Sequence, residues 1–256
     1  MRKEVSFFND TSAAYDREYG RETPDGYSFR VRRERVFELL PLKGASKRVL
    51  DIAAGPGVMV PGLVERGYTV ECVDAAPEMI ERAREHYSSL KNVTFAVGDV
   101  YELSYPDATM DTVIAMGLVE YLEDQDKAMH EMARVTKRNG YTIVTFPNRR
   151  SFWRTWARAL RAATEVPRTL YRMLTGRKKY PITHREYTEA EAQAYLERHG
   201  LTVDTVVYYN YKVVPFPFDR WFPRFTVWQS GALEQRWPRL RAILATAFIV
   251  RGTKRS

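Results

Sequence analysis

The stretch Val49 to Gly57, Val-Leu-Asp-Ile-Ala-Ala-Gly-Pro-Gly, constrains this chain more than any other. An apolar run (Val49, Leu50, Ile52) gives way to Gly55 and Gly57, and a helical pattern follows, which predicts a buried strand turning sharply into a helix. Glycines let the backbone tighten and approach a ligand, and free N–H groups at a helix start favour an anionic or electron-rich group. A lone Gly-x-Gly also fits an ordinary strand-to-helix turn. Two acids tilt the reading toward a site. Asp51 lies inside the strand, where a carboxylate is costly unless something binds it. Asp74 closes the next apolar run, Tyr68 to Val73, at the spacing of a ribose-hydroxyl acceptor. Together they predict a nucleoside pocket. A nicotinamide site would prefer a third glycine where Val60 stands.

At these residues the chain resembles the class I S-adenosylmethionine-dependent methyltransferases. Their first motif, Asp/Glu-x-Gly-x-Gly-x-Gly, is matched by Asp51, Ala53, Gly55 and Gly57, with Ala53 replacing the first glycine. The resemblance implies S-adenosylmethionine as cofactor and a Rossmann-like α/β fold. That fold is a seven-stranded, mostly parallel sheet with helices on both faces and the last strand antiparallel, with helical and aromatic insertions after strands five and six. It also implies roles for particular residues. Ser12-Ala13-Ala14-Tyr15-Asp16 looks like the family's N-terminal segment that folds over the cofactor, which makes Tyr15 and Tyr19 contacts to its methionyl end. Arg30 or Arg33 would then meet its carboxylate. Gly98-Asp99-Val100 resembles the step that holds the adenine; Met79, one helical turn after Asp74, would pack on the ring or serve as a core methionine, and Ala75 and Met116, beside Asp74 and at the end of strand four, complete the set.

Strand four runs into Gly117-Leu118-Val119-Glu120-Tyr121. Quinone-biosynthesis O-methyltransferases of the family carry Glu-x-x-Glu-His there, a set that can hold a divalent metal. Gly117 and Tyr121 replace the first Glu and the His, so no metal is expected. The resemblance covers Val49 to Asn148 well, the N-terminus loosely, and the rest in outline.

Periodicity places strands at Arg48–Ala53, Thr69–Asp74, Val93–Val97, Thr112–Met116, Tyr141–Phe146, Thr202–Tyr209 and Ala245–Val250. Helices are expected at Phe7–Tyr19, Phe29–Leu40, Val58–Arg66, Pro77–Ser88, Asp124–Thr136 and Glu189–His199. The chain reads as one domain in four parts: a helical cap (1–45), a cofactor-binding core (46–148), a basic insertion (149–187), and a C-terminal part completing the core (188–256). The lone Cys72, mid-strand, reads as a small buried hydrophobe. With no leader-like start and no long apolar run, the expected location is cytoplasmic.

The formal charge of +8 is concentrated: residues 149–186 hold eleven Lys/Arg against two acids. Within them Arg150, Arg154 and Arg158 alternate with Trp153 and Trp156 at helical spacing, and Val166, Leu170 and Leu174 continue the apolar stripe beside Arg168 and Arg172. This composition suits a helix lying in an anionic membrane surface, a plain surface helix, or a phosphate-backbone contact to RNA. The Pro- and aromatic-rich stretch Val213 to Trp237 is expected to be neither regular helix nor strand; it would wall an apolar acceptor pocket, meet a bilayer, or cover the core.

The resulting expectation is methyl transfer to a small hydrophobic or amphipathic acceptor such as a lipid, isoprenoid, tetrapyrrole or polyketide, chiefly at oxygen, with His184, Tyr121 and Glu120 as candidate bases. An RNA or protein methyltransferase and a non-catalytic membrane- or partner-binding protein are the alternatives. The missing Asn/Asp-Pro-Pro-aromatic step after strand four argues against nucleic acid.

Overall fold

The structure is a computed structural model and describes residues 2–41, 47–165 and 184–255. Seven strands form one sheet in the order β3-β2-β1-β4-β5-β7-β6. They are β1 (Arg48–Ile52), β2 (Thr69–Asp74), β3 (Val93–Val97), β4 (Met110–Ala115), β5 (Thr136–Pro147), β6 (Leu201–Tyr211) and β7 (Ala245–Lys254). The first five pair in parallel, and β7 runs antiparallel to both its neighbours, β5 and β6. This is the expected sheet.

The helices are α1 (Lys3–Tyr19), α2 (Pro24–Leu39), α3 (Val60–Glu65), α4 (Pro77–Tyr87), α5 (Gln125–Val135), α6 (Phe152–Ala163), α7 (Glu189–Glu197), α8 (Phe218–Trp221), α9 (Pro223–Arg236) and α10 (Arg241–Leu244). Local chemistry sets their ends. The Thr23 side chain accepts from Gly26 N and Pro24 occupies the first turn, so α2 begins ahead of the expected Phe29. At α7, Thr188 and Glu191 form a reciprocal capping box.

The sheet separates two cores. On one side Phe146 and Phe248, stacked 5.7 Å apart, pack with Met129, Met132 and Leu196. On the other, Met59, Leu63 and Val36 cover Val49, Val70 and Ile114. Each such side chain, fully buried, stabilises the fold by roughly 1.5–3 kcal/mol. Because Val31, Val36 and Leu39 belong to this second core, α2 is part of the body of the domain. Cys72 is 1 % exposed, and burial pushes its thiol pKa up.

One expectation is corrected. Residues 213–237 are largely helical, in α8 and α9. The prolines that argued against a helix stand at 215, 217 and 223, so they precede α8 or fall in the first turn of α9, where a missing N–H does no harm.

Candidate functional site

β1 neighbours both β2 and β4, so successive connections leave β1 and β4 in opposite directions and open a crevice at their carboxyl ends. The loop after β1 is folded tightly there. Ala53 (φ 55), Gly55 (φ 55) and Gly57 (φ 79) all take left-handed conformations. At Ala53 that geometry costs roughly 1–2 kcal/mol, the physical reason a glycine suits this first motif position. Asp74 ties the loop to α4: its carboxylate accepts from Gly55 N at 2.9 Å and from Ala76 N at 2.8 Å.

An open cavity of about 770 Å³ lies over this loop. Tyr15, Ala53, Gly55, Asp74, Ala75, Met79, Val100 and Met116 line it, so most of the expected cofactor set converges. Phe8 of α1 roofs it, with its ring 5.2 Å from that of Tyr121. Below the loop, Asp51 is 1 % exposed and neither of its oxygens has a hydrogen-bond partner among the described residues. Desolvation, then the nearby Asp74 charge, pushes its pKa up to about 7. An orphaned buried carboxylate beside an open cavity fits a group that completes its bonding when a ligand arrives.

Four of the expected residues sit elsewhere. Gly57 backs onto α4: a Cβ there would lie 3.1 Å from the Tyr87 ring, so this glycine serves close packing. Asp99 is held by Arg2 at 2.9 Å and accepts from Tyr101 N within its own turn, while its neighbours Gly98 and Val100 line the cavity. Arg30 caps the end of α1, donating to the carbonyls of Tyr19 and Arg21. Tyr19 is half-buried and does not line the cavity, its ring stacked 4.8 Å from Phe29 and its hydroxyl pushed far up, first by desolvation.

The arginine the structure does bring to the site is Arg32. It is 8 % exposed, donates to the hydroxyls of Tyr19 (3.1 Å) and Tyr15 (3.4 Å), and its Nε has no partner among the described residues. Helical phase explains the difference: Arg32 shares the inward face with Phe29 and Val36, three and four residues away, while Arg30 does not. An arginine on the buried stripe of a helix was the available signal.

Beyond Arg32 the crevice opens into a second, solvent-open cavity. The two cavities share Tyr121. At their junction Gly117 (φ 64) passes so close that a Cβ would sit 2.6 Å from Arg32 Nη1, which excludes any other residue without rearrangement. Arg185 N donates to the Glu120 carbonyl at 3.0 Å, and this pairing sets the His184 ring 4.6 Å from that of Tyr121. The three candidate bases therefore meet at the boundary. Desolvation, then Arg154 and Arg161, lowers the His184 pKa, leaving a neutral imidazole at neutral pH. Desolvation raises Glu120, whose Oε2 has no partner among the described residues, and raises Tyr121 far. Five cations also line this cavity, Arg149, Arg154, Arg158, Arg161 and Lys212, with Asp25 and Glu186 opposing them.

α6 turns much of its expected membrane face toward the protein. Arg154 donates to Thr246 O at 2.7 Å and pairs with Glu186, as does Arg158. Trp153 Nε1 donates to Asp219 and Trp156 Nε1 to Phe216 O. Arg150 remains exposed. The stripe at Val166, Leu170 and Leu174, with Arg168 and Arg172, lies outside the described residues. Among the described residues no cluster of His, Cys, Asp and Glu could hold a metal ion, and no helix is long and apolar enough to cross a membrane.

Residues 50–144 match the family model of the methyltransferase domain. This segment is similar to that domain family and lies in a sheet with the strand order expected of the class I fold. The chain is 32% identical over 123 residues to the chloroplastic 2-methyl-6-phytyl-1,4-hydroquinone methyltransferase 2 of Oryza sativa subsp. japonica, covering 47% of this chain and 35% of that one. It is 30% identical over 170 residues to a malonyl-[acyl-carrier protein] O-methyltransferase of Geobacter sulfurreducens, covering 65% of this chain and 60% of the relative. The chain thus spans less than two thirds of the length of either relative. In fold it is similar to magnesium protoporphyrin IX methyltransferase of Synechocystis PCC 6803, solved with bound S-adenosylhomocysteine (TM-score 0.63, 15% identity, 97% of both chains). The cofactor of such a methyltransferase domain is S-adenosylmethionine, and the residues present fit it: a tight Gly55 loop, Asp74 at the end of β2, and the unpartnered carboxylate of Asp51.

Asp74→Ala is expected to weaken S-adenosylmethionine binding by about 1–3 kcal/mol, because the Gly55 and Ala76 N–H groups lose their acceptor together with any ligand hydroxyl. Calorimetric titration measures this; unchanged affinity would exclude the role.

Proposed function

We propose that the methyltransferase domain transfers a methyl group from S-adenosylmethionine to an oxygen of an amphipathic small molecule that carries an acidic group and occupies the second cavity. The observation that carries this reading is the meeting of the two cavities at Tyr121, beside Arg32 and Glu120. The bound cofactor supplies an electrophilic methyl group on a sulfonium. The chain supplies alignment, and holding two reactants face to face can account for about 7–11 kcal/mol of a barrier. Phe8 of the first cavity packs edge-on against Tyr121, the residue the two cavities share. His184, neutral at neutral pH and beside Tyr121, is placed to take the proton of a hydroxyl acceptor. Arg161, which lines the same cavity, favours an anion at its far end. The engagement of Arg149, Arg154 and Arg158 by Glu191 and Glu186 argues against an open cationic track for RNA.

The test is a methylation assay on hydroxylated aromatic and long-chain carboxylic acids and on their amides, after calorimetry with S-adenosylmethionine. Acids should be methylated in preference to amides, and Arg161→Gln should raise KM at least about tenfold with unchanged cofactor affinity. Equal use of amides would remove the anionic acceptor. Absence of cofactor binding would remove the methyltransferase reading altogether.

A further inference from the structure

α9 is built inside out. Its inward side is polar: Thr226, Gln229 and Ser230 are between 1 and 4 % exposed, and Gln229 Nε2 and the Ser230 hydroxyl both donate to the Tyr211 carbonyl. Its outward side, with the end of α8, is aromatic: Trp221 (67 %), Phe222 (58 %), Phe225 (54 %) and Trp228 (67 %) face solvent. A helix packed on a water-soluble domain shows the opposite pattern. Exposed apolar bulk is also concentrated here, since eight of the eleven exposed large hydrophobic residues among the described residues fall between 218 and 243. Patches of this kind mark a binding surface.

The charges on the same face indicate what it binds. Arg220, Arg224, Arg236, Arg239 and Arg241 are exposed among the aromatics. Both acids of residues 215–243 are spent internally: Asp219 is 3 % exposed, accepts from Trp153 and lies 3.8 Å from Lys212, while Glu234 pairs with Arg35. The surface is therefore aromatic and purely cationic. A two-fold contact with a second copy would set five arginines against five, which disfavours self-association. Tryptophan rings settle at the headgroup level of a bilayer, and arginines there meet lipid phosphates. We propose that the α8–α10 face seats the protein on a lipid bilayer containing anionic phospholipids. The second cavity lies directly behind it, because Trp153 and Lys212 line that cavity and contact Asp219 at the start of α8.

Co-sedimentation of the full chain with phosphatidylcholine vesicles, pure or doped with phosphatidylglycerol, tests this. The protein should pellet with the doped vesicles and remain in solution with the pure ones. Phe225→Ser combined with Trp228→Ser should weaken binding at least about tenfold, and Arg224→Gln with Arg236→Gln and Arg239→Gln on the order of 100-fold. All these residues are exposed, so both variants should keep the parent melting temperature. In the unmodified protein, brominated acyl chains should quench tryptophan emission, a readout independent of any variant. Failure to pellet with doped vesicles, or equal pelleting by all forms, would overturn the proposal. So would a dimer that Trp228→Ser converts to monomer in protein that ignores vesicles, or binding to an acidic protein without binding to lipid.

Discussion

Arg32→Met should all but abolish cofactor binding while leaving the ligand-free fold as stable as before. Arg32 stands at the junction of the two cavities, and among the described residues its Nε has no partner and its guanidinium hydrogen-bonds hydroxyls and no carboxylate. A cofactor carboxylate would supply that missing partner. Truncating one member of a buried, hydrogen-bonded charge pair costs about 2–5 kcal/mol, so affinity should fall roughly 30-fold or more. Without ligand the same guanidinium is a desolvated charge, and replacing it with an apolar chain of similar length should be neutral or stabilising. Calorimetry against S-adenosylmethionine and a melting curve separate the two effects. Parent-like affinity in Arg32→Met would place the carboxylate elsewhere; a large drop in melting temperature would make Arg32 structural.

Asp51 should make the ligand-free protein lose stability as pH rises. Its folded pKa, up at about 7, lies above the unfolded value near 3.8, so between those limits the folded state holds a proton that the unfolded state has released. Stability falls with increasing pH across this window and levels off above it, and Asp51 alone contributes a loss of roughly 4 kcal/mol. Asp51→Asn, which cannot ionise, should flatten the slope and raise the melting temperature at pH 8. It should also weaken S-adenosylmethionine binding. A cationic ligand near Asp51 stabilises the carboxylate, so binding at pH 6 should release protons, visible as a dependence of the calorimetric heat on buffer ionisation enthalpy. Asp51→Asn should show no such release. A pH-independent melting temperature in the parent protein between pH 5 and 8 would mean that water or another group already satisfies the carboxylate.

Both predictions depend on residues that the sequence exposed unequally. Asp51 was visible because an acid inside an apolar strand is chemically anomalous on the page. Arg32 was passed over for Arg30 and Arg33, since neighbouring arginines on a helix look alike until the helix is docked and one phase is turned inward. Asp99 and Gly57 show the converse: motif spacing pointed at both, yet Asp99 is taken by Arg2, ninety-seven residues away, and Gly57 by the Tyr87 ring.

What the sequence determined by itself were the features encoded locally. Alternating apolar periods, the glycines after β1, and acids at strand ends were enough for the sheet, its crevice and a nucleoside-type cofactor, because short-range backbone sterics and burial patterns set all of these. The tertiary structure decided what depends on distant segments meeting. It brought His184 over Tyr121 through a backbone pair to Glu120, and turned the arginines of α6 toward Glu186 and a cavity. It also left the aromatic side of α9 outward, since the polar side alone could satisfy the Tyr211 carbonyl. Composition records how many aromatic and charged groups a chain carries, but only packing determines which of them find partners within the molecule and which are left for another surface.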